Sequence, residues 1–444
     1  MALETVLYNP ALLTPSATSL GQSLRRRLAL HLLDALRRMG KDGAPQHRLL
    51  LGLPGSGKTM LLRALRSAIE ADPELAARWI PLTFPEAQWD IAHPSDVWVN
   101  ALDYLAVVLE RRPDTASQAH ARTLRAALAR LPDRDEDRRN AAAIGLLTAT
   151  ADALERRFIL LIDQLDLVLG RLKADEWHIR EVLSSEARIL IIGASARALE
   201  ATYRYDAAFY DFFQVHELRA PAAAEVPALI AELAPHPDRD ALLALHRTHP
   251  ATWSATLDLI GTQPRALAAL AIQLRLGVAL NAPDLVAATL DTLTPMMLAR
   301  VEPLAPQTQR IVHAIAAHWH PVRATELARR TRLAPSAVSA QLHRLVRDGL
   351  AERLPIVAEA PGVPARAQRI VHQLLDRQLQ VWLLLRMGQP HRRRLLDAAR
   401  AIEASHAGRM TAPDLARALG IPFGAQDDAI APELRGGHAR TESD

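Results

Sequence analysis

The chain has 444 residues, a formal net charge of +4, 17 histidines and no cysteine. That length allows two or three domains, each with its own core, and a chain without cysteine has neither disulfides nor thiolate metal sites. No apolar run reaches the ~18 residues of a membrane-crossing helix, and MALETVLYNP lacks a charged-then-apolar leader pattern, so the expected location is the cytoplasm, with no membrane partner. About half the residues are hydrophobic, mostly Ala and Leu, which favours a helix-rich fold.

In chain order, apolar residues recur at helical spacing from Ser19 to Met39, and KDGAP breaks the pattern. His47 to Leu51 reads as a short strand, followed by a Gly-rich turn and a helix from Lys58 to about Glu70. Arg78 to Phe84 is a second expected strand; a helix near Asp96 to Arg111 and a polar surface excursion from Pro113 to Arg139 follow. Phe158 to Ile162, Arg188 to Ile192 and Phe213 to Leu218 complete five strands. Apolar strands without polar alternation, separated by helices, indicate a parallel sheet covered on both faces. Pro221 to about Arg300 is helical and Ala-rich, and a compact helix-turn-helix pattern starts at Pro306. ATELARR and SAVSAQLHRLVRDG are its two helices, AERLPIVAEAPGVPARAQRI its wing, and VHQLLDRQLQVWLLLRMG a further apolar helix.

GLPGSGKT, Gly52 to Thr59, fits the phosphate-loop pattern between a strand and a helix. Gly52, Pro54, Gly55, Ser56 and Gly57 let backbone N–H groups approach phosphates, Lys58 reaches the outer phosphates, and the Thr59 hydroxyl binds Mg²⁺. Lysine occurs elsewhere only at Lys41 and Lys173, so a compact ammonium is kept where a planar guanidinium cannot replace it. Asp163 closes the third strand, where a carboxylate can hold the Mg²⁺ shell through water. Gln164 follows; it can hydrogen-bond a water but cannot take its proton. Asp166 and Glu86 are the carboxylates that could act instead, with a helix start and a surface loop as their respective alternatives. Ser195 ends the fourth strand, either to sense the γ-phosphate or to cap a helix. Arg265 in GTQPRAL either reaches back to the phosphates or is a solvated helix residue. On the second helix of the C-terminal module, Val338, Leu342 and Leu345 should face inward. Ser336, Ala340, His343, Arg344 and Arg347 should face out, where a recognition helix meets the major groove. Arg353, Arg366 and Arg369 lie in the wing segment.

The ordered set YNP, GLPGSGKT, FPEAQWD, LLIDQLD, GASARALEATYRYDAAFYDFF and GTQPRAL resembles bacterial AAA+/STAND-type ATPases related to the origin-recognition clade, over roughly residues 8 to 388. The resemblance implies ATP or ADP with Mg²⁺ as ligands, Asp163 as the Walker B acid, Ser195 as sensor 1 and Arg265 as sensor 2. It also implies Tyr8, Asn9 and Pro10 beside the adenine, and Arg204 as an arginine finger across a subunit interface. The expected architecture is an α/β P-loop NTPase domain at 1–220, a helical lid at 221–300 and a winged helix at 301–388, then helices at 389–423 and a disordered tail at 424–444. The function this implies is an ATP-controlled, slowly hydrolysing homo-oligomer that binds double-stranded DNA, in phage defence or a mobile element. The alternative is a STAND-type switch that recruits a partner effector protein and keeps its winged helix structural.

Overall fold

A computed structural model describes residues 23–40, 45–84, 90–132, 135–196, 205–356 and 369–419. These fall into two compact units that divide between Arg219 and Ala220. In the first unit, β1 (Arg48–Leu51), β2 (Trp79–Thr83), β3 (Arg157–Ile162), β4 (Ile189–Ser195) and β5 (Gln214–Glu217) form one sheet of order β2-β3-β4-β1-β5. Every pairing is parallel, as the unbroken apolar strands predict. Successive side chains on a strand point to opposite faces, and both faces are covered except at the edge strand β5, where Gln214, Val215 and Glu217 are exposed. Leu49, Phe158, Leu160 and Ile162 belong to one buried cluster, which includes Trp98 and Leu102 of the helix Pro94–Glu110. Leu50, Ile159 and Leu161 belong to the other, with Leu32 of the helix Arg26–Arg38 and Leu61 and Leu65 of the helix Lys58–Ala71.

The expected excursion at Pro113 to Arg139 is instead structured. Asp114 accepts the Ser117 N–H and caps a helix, Thr115–Leu128, while Asp135 caps the next, Glu136–Leu154. The first packs on Pro94–Glu110 through a narrow stripe that includes Ala121 and Leu124, too small a face to stand out among its polar neighbours.

In the second unit, helices between Val226 and Val301 precede the helix-turn-helix pair Ala324–Thr331 and Pro335–Arg347. The antiparallel ribbon of β6 (Ala351–Ile356) and β7 (Arg369–Leu374) comes next. The long apolar helix expected from Val371 starts later. Residues 371–374 belong to β7, and Asp376 then caps the helix Arg377–Arg386 by accepting the Gln378 and Leu379 N–H groups. Asp376 is itself buried and ion-paired with Arg300. A buried carboxylate that satisfies two amides and one guanidinium must stay in place, because removing one partner would leave an uncompensated charge. Trp382 packs inside this unit and donates its indole N–H to Thr294 Oγ1 at 3.1 Å. Among the described residues, no helix is long and apolar enough to cross a membrane.

His47 precedes β1 and ties the sheet together. Its Nδ1 accepts the Ile191 N–H at 3.0 Å, which leaves Nε2–H to donate to the Leu183 carbonyl at 3.2 Å. Burial pushes its pKa down from 6.5 to about 4. Between those values the unfolded chain takes up a proton that the folded chain refuses, so stability falls as pH falls, by about 3 kcal/mol in full for a shift of this size. A His47→Gln variant should be less stable at neutral pH, yet its stability should decline less steeply between pH 6.5 and 4. Urea unfolding at several pH values checks this, with the slopes differing by up to about one proton.

Candidate functional site

Parallel pairing brings the C-terminal ends of β1 and β4 level: Leu51 lies opposite Ser195 in register, and the Gly52 N–H donates to the Ser195 carbonyl at 3.1 Å. Beyond Gly52 the chain turns sharply, with the Ser56 N–H on the Leu53 carbonyl at 3.1 Å. Gly55 and Gly57 have φ of 90° and 93°, left-handed values that favour glycine. Gly57 is also the N-cap of the helix Lys58–Ala71. A Cβ on Gly52 would come within 2.7 Å of Ser56 Oγ and 3.0 Å of the Leu218 carbonyl oxygen, so this position admits no side chain without movement.

Lys58 Nζ donates to the carbonyls of Gly52 and Leu53, at 2.6 and 3.1 Å. The ammonium is thus held over the concave side of its own loop. One residue on, the Thr59 hydroxyl donates to Asp163 Oδ2 at 2.5 Å, and Asp163 Oδ1 accepts the Gln164 N–H at 2.9 Å. Asp163 and Ser195 are both buried, and Ser56 Oγ is buried with no hydrogen-bond partner among the described residues. A hydroxyl, a carboxylate and an ammonium therefore converge with a turn of backbone amides at the start of one helix. That is the chemistry of a phosphate and its hard, oxygen-seeking cation.

Gln164 takes a left-handed conformation, φ 53°, and forms the N-cap of the helix Leu165–Arg171. Such a backbone is unfavourable for a residue with a Cβ. The next residue, Leu165, is buried against Gly193 of β4, where an added Cβ would collide with Leu165 Cδ2. Gly193 carries no distinguishing signal in the sequence, where it is one glycine inside an apolar strand. Asp166 sits in the first turn of the same helix and is not its cap.

Arg25 is a second residue that sequence reasoning passes over. Its Nε donates to the Ser56 carbonyl at 3.0 Å, and its Nη2 to the Arg219 carbonyl at 2.8 Å. Burial lowers its pKa to about 10, so it stays charged at neutral pH. Its only sequence signal is the run Arg25, Arg26, Arg27, which does not say which member points inward.

In the helix-turn-helix pair, Val338, Leu342 and Leu345 are buried as expected. Ser336, Ala340, His343, Arg344 and Arg347 are exposed. Arg347 Nε lies 3.2 Å from Asp348 Oδ1, and Arg332 in the turn adopts a left-handed φ of 55°.

Family models match residues 23–192 as an AAA ATPase domain and residues 308–355 as an IclR helix-turn-helix domain. Among solved structures, the Orc1 protein of Aeropyrum pernix in complex with DNA is 15% identical and has a TM-score of 0.44; the match covers 88% of this chain and 98% of that one. Cdc6p of Pyrobaculum aerophilum is 14% identical, over 86% and 98% of the two chains, with a TM-score of 0.36. Drosophila ORC bound to DNA is 13% identical, over 88% and 99%, with a TM-score of 0.38. No curated protein matches the chain.

The first unit thus brings together the phosphate-loop residues, Thr59, Asp163, Gln164 and Ser195. Arg265 belongs to the other unit, as the second residue of the helix Pro264–Arg275. Glu86, Arg204, Tyr8, Asn9, Pro10 and Arg366 lie outside the described residues, as does the segment 424–444.

Proposed function

We propose that this chain is an ATP-binding, slowly hydrolysing ATPase that works as a homo-oligomer and binds double-stranded DNA through its winged helix. The observation that carries the reading is the Thr59–Asp163 contact beside the Lys58 loop. In this arrangement the turn from Gly52 to Gly57 would bind the phosphates through its amides, Lys58 would exchange its two carbonyl partners for phosphate oxygens, and Ser56 Oγ would gain the partner it lacks. Thr59 and Asp163 would hold Mg²⁺, which neutralises charge on the phosphates when bound. Gln164 orients water without accepting its proton, so turnover is slow. Asp166 and Glu86 are the proposed carboxylates for the remaining general-base work, Ser195 the phosphate sensor, Arg265 the lid contact and Arg204 the finger in trans. Tyr8, Asn9 and Pro10 are proposed to line the adenine. A lid at 221–300 and a winged helix at 301–388 are proposed as functional divisions of the second unit, and a mobile element or phage defence as the setting.

The helix-turn-helix match and the exposed residues Ser336, His343, Arg344 and Arg347 support DNA as the partner. Arg366 would add a wing contact. One observation favours a second reading, a nucleotide switch that recruits a partner protein: Asp348 competes for Arg347, one of the two arginines at the C-terminal end of the recognition helix.

Three results would test these assignments. Lys58→Ala should fold and should lose the rise in melting temperature that Mg²⁺-ATP gives the wild type; an undiminished rise would reject the site. Gln164→Glu should raise a wild-type turnover that is itself well below the ~1 to 100 per second of kinases. Brisk hydrolysis by the wild type, with no gain in the variant, would show that another base acts. Finally, Arg344→Ala combined with Arg347→Ala should lose duplex binding and keep ATP binding. Wild-type affinity should fall steeply with salt, because phosphate contacts release counterions. Titration of labelled duplex at several salt concentrations decides this, and no wild-type binding at low salt would favour the switch.

A further inference from the structure

A concavity of about 590 Å³ opens in the second unit, between the loop 317–323, the helix Ala324–Thr331, β7 and the helix Gln389–His406. Its size lies in the ~300 to 1,000 Å³ range of small-molecule sites. The lining carries more cations than anions: Arg323, Arg330 and Arg394 contribute to it, against a single carboxylate, Glu326, with His318 and His320 beside them. That carboxylate is already engaged, by Arg329 at 2.6 Å and by Arg330 at 3.1 Å. Arg323 and Arg394 have neither an ion pair nor a side-chain hydrogen bond among the described residues.

The inner surface adds a second sign. His318 Nε2 is buried without a hydrogen-bond partner among the described residues, although buried polar atoms are nearly always paired. Burial, then the positive charges of Arg330, His320 and Arg394, push this imidazole down to about 4, so it is neutral at ordinary pH and can donate from one ring nitrogen. Trp319 forms part of the wall, and the Arg377 guanidinium stacks on its ring at 4.7 Å. Excess cations around a half-open concavity, with a buried imidazole nitrogen unsatisfied, call for a multiply charged guest with hydrogen-bond acceptors.

We propose that this concavity binds a small, multiply charged oxyanion, such as a phosphate ester or a polycarboxylate, held by Arg323 and Arg394 and accepting a hydrogen bond from His318. The site belongs to the second unit and the phosphate loop to the first, and the proposal does not rest on DNA binding. It does touch the first helix of the helix-turn-helix pair and, through Val371, the strand β7 that comes after the wing segment. A guest here would therefore bias the geometry of those elements.

The test uses the full-length chain labelled with 5-fluorotryptophan, with inorganic phosphate as the probe. Of seven tryptophans, the Trp319 resonance is identified by its loss in Trp319→Phe. Phosphate should move it saturably at millimolar concentration, and to the same extent in Lys58→Ala, which separates this site from the nucleotide loop. Arg323→Gln with Arg394→Gln, both at exposed positions, should weaken the response at least tenfold. No saturable movement, an equal movement with sodium chloride of matched ionic strength, or an unchanged response in the double variant would each overturn the proposal. Movement with duplex DNA but none with phosphate would assign the concavity to a DNA-facing surface and overturn it equally.

Discussion

The parallel register of the sheet is the constraint on which the first unit's site depends, and the Thr59–Asp163 hydrogen bond is its result. This bond joins the helix that leaves the phosphate loop to the end of β3, residues 104 apart in the chain. For it to form, β1 and β3 must both end at the same level, on either side of β4, and the parallel register sets that level. Because Asp163 is buried, its carboxylate must be satisfied, and the hydroxyl and the Gln164 amide do so.

Gln164 shows why the chemistry next to this pair is constrained by packing as well as by function. It holds a left-handed backbone directly before Leu165, which fills the space over Gly193. A substitution here changes the functional group and the backbone cost together, since Gly, Asn and Asp tolerate this conformation better than other residues.

Much of this was legible in the sequence because it rests on local signals. Four apolar strands and the glycine-lysine turn can be read one at a time, and the inward residues Val338, Leu342 and Leu345 follow from helical spacing alone. What escaped depends on partners far along the chain. Arg25 acquires its meaning from Ser56 and Arg219, 31 and 194 residues away. Gly193 acquires it from a leucine on another element. The helix Thr115–Leu128 escaped for a different reason: its buried face is made largely of small residues, so its period is weak although its capping aspartate is clear. The start of Arg377–Arg386 was misplaced because β7 is apolar enough to read as the helix's first turn, and only the cap at Asp376 separates them.

Arg25 grips the Ser56 carbonyl with one nitrogen and the Arg219 carbonyl with another, and Arg219 is the last residue before the chain passes into the second unit. One planar guanidinium therefore serves both carbonyls, so the phosphate loop and the segment by which the chain leaves the first unit share a single cationic donor.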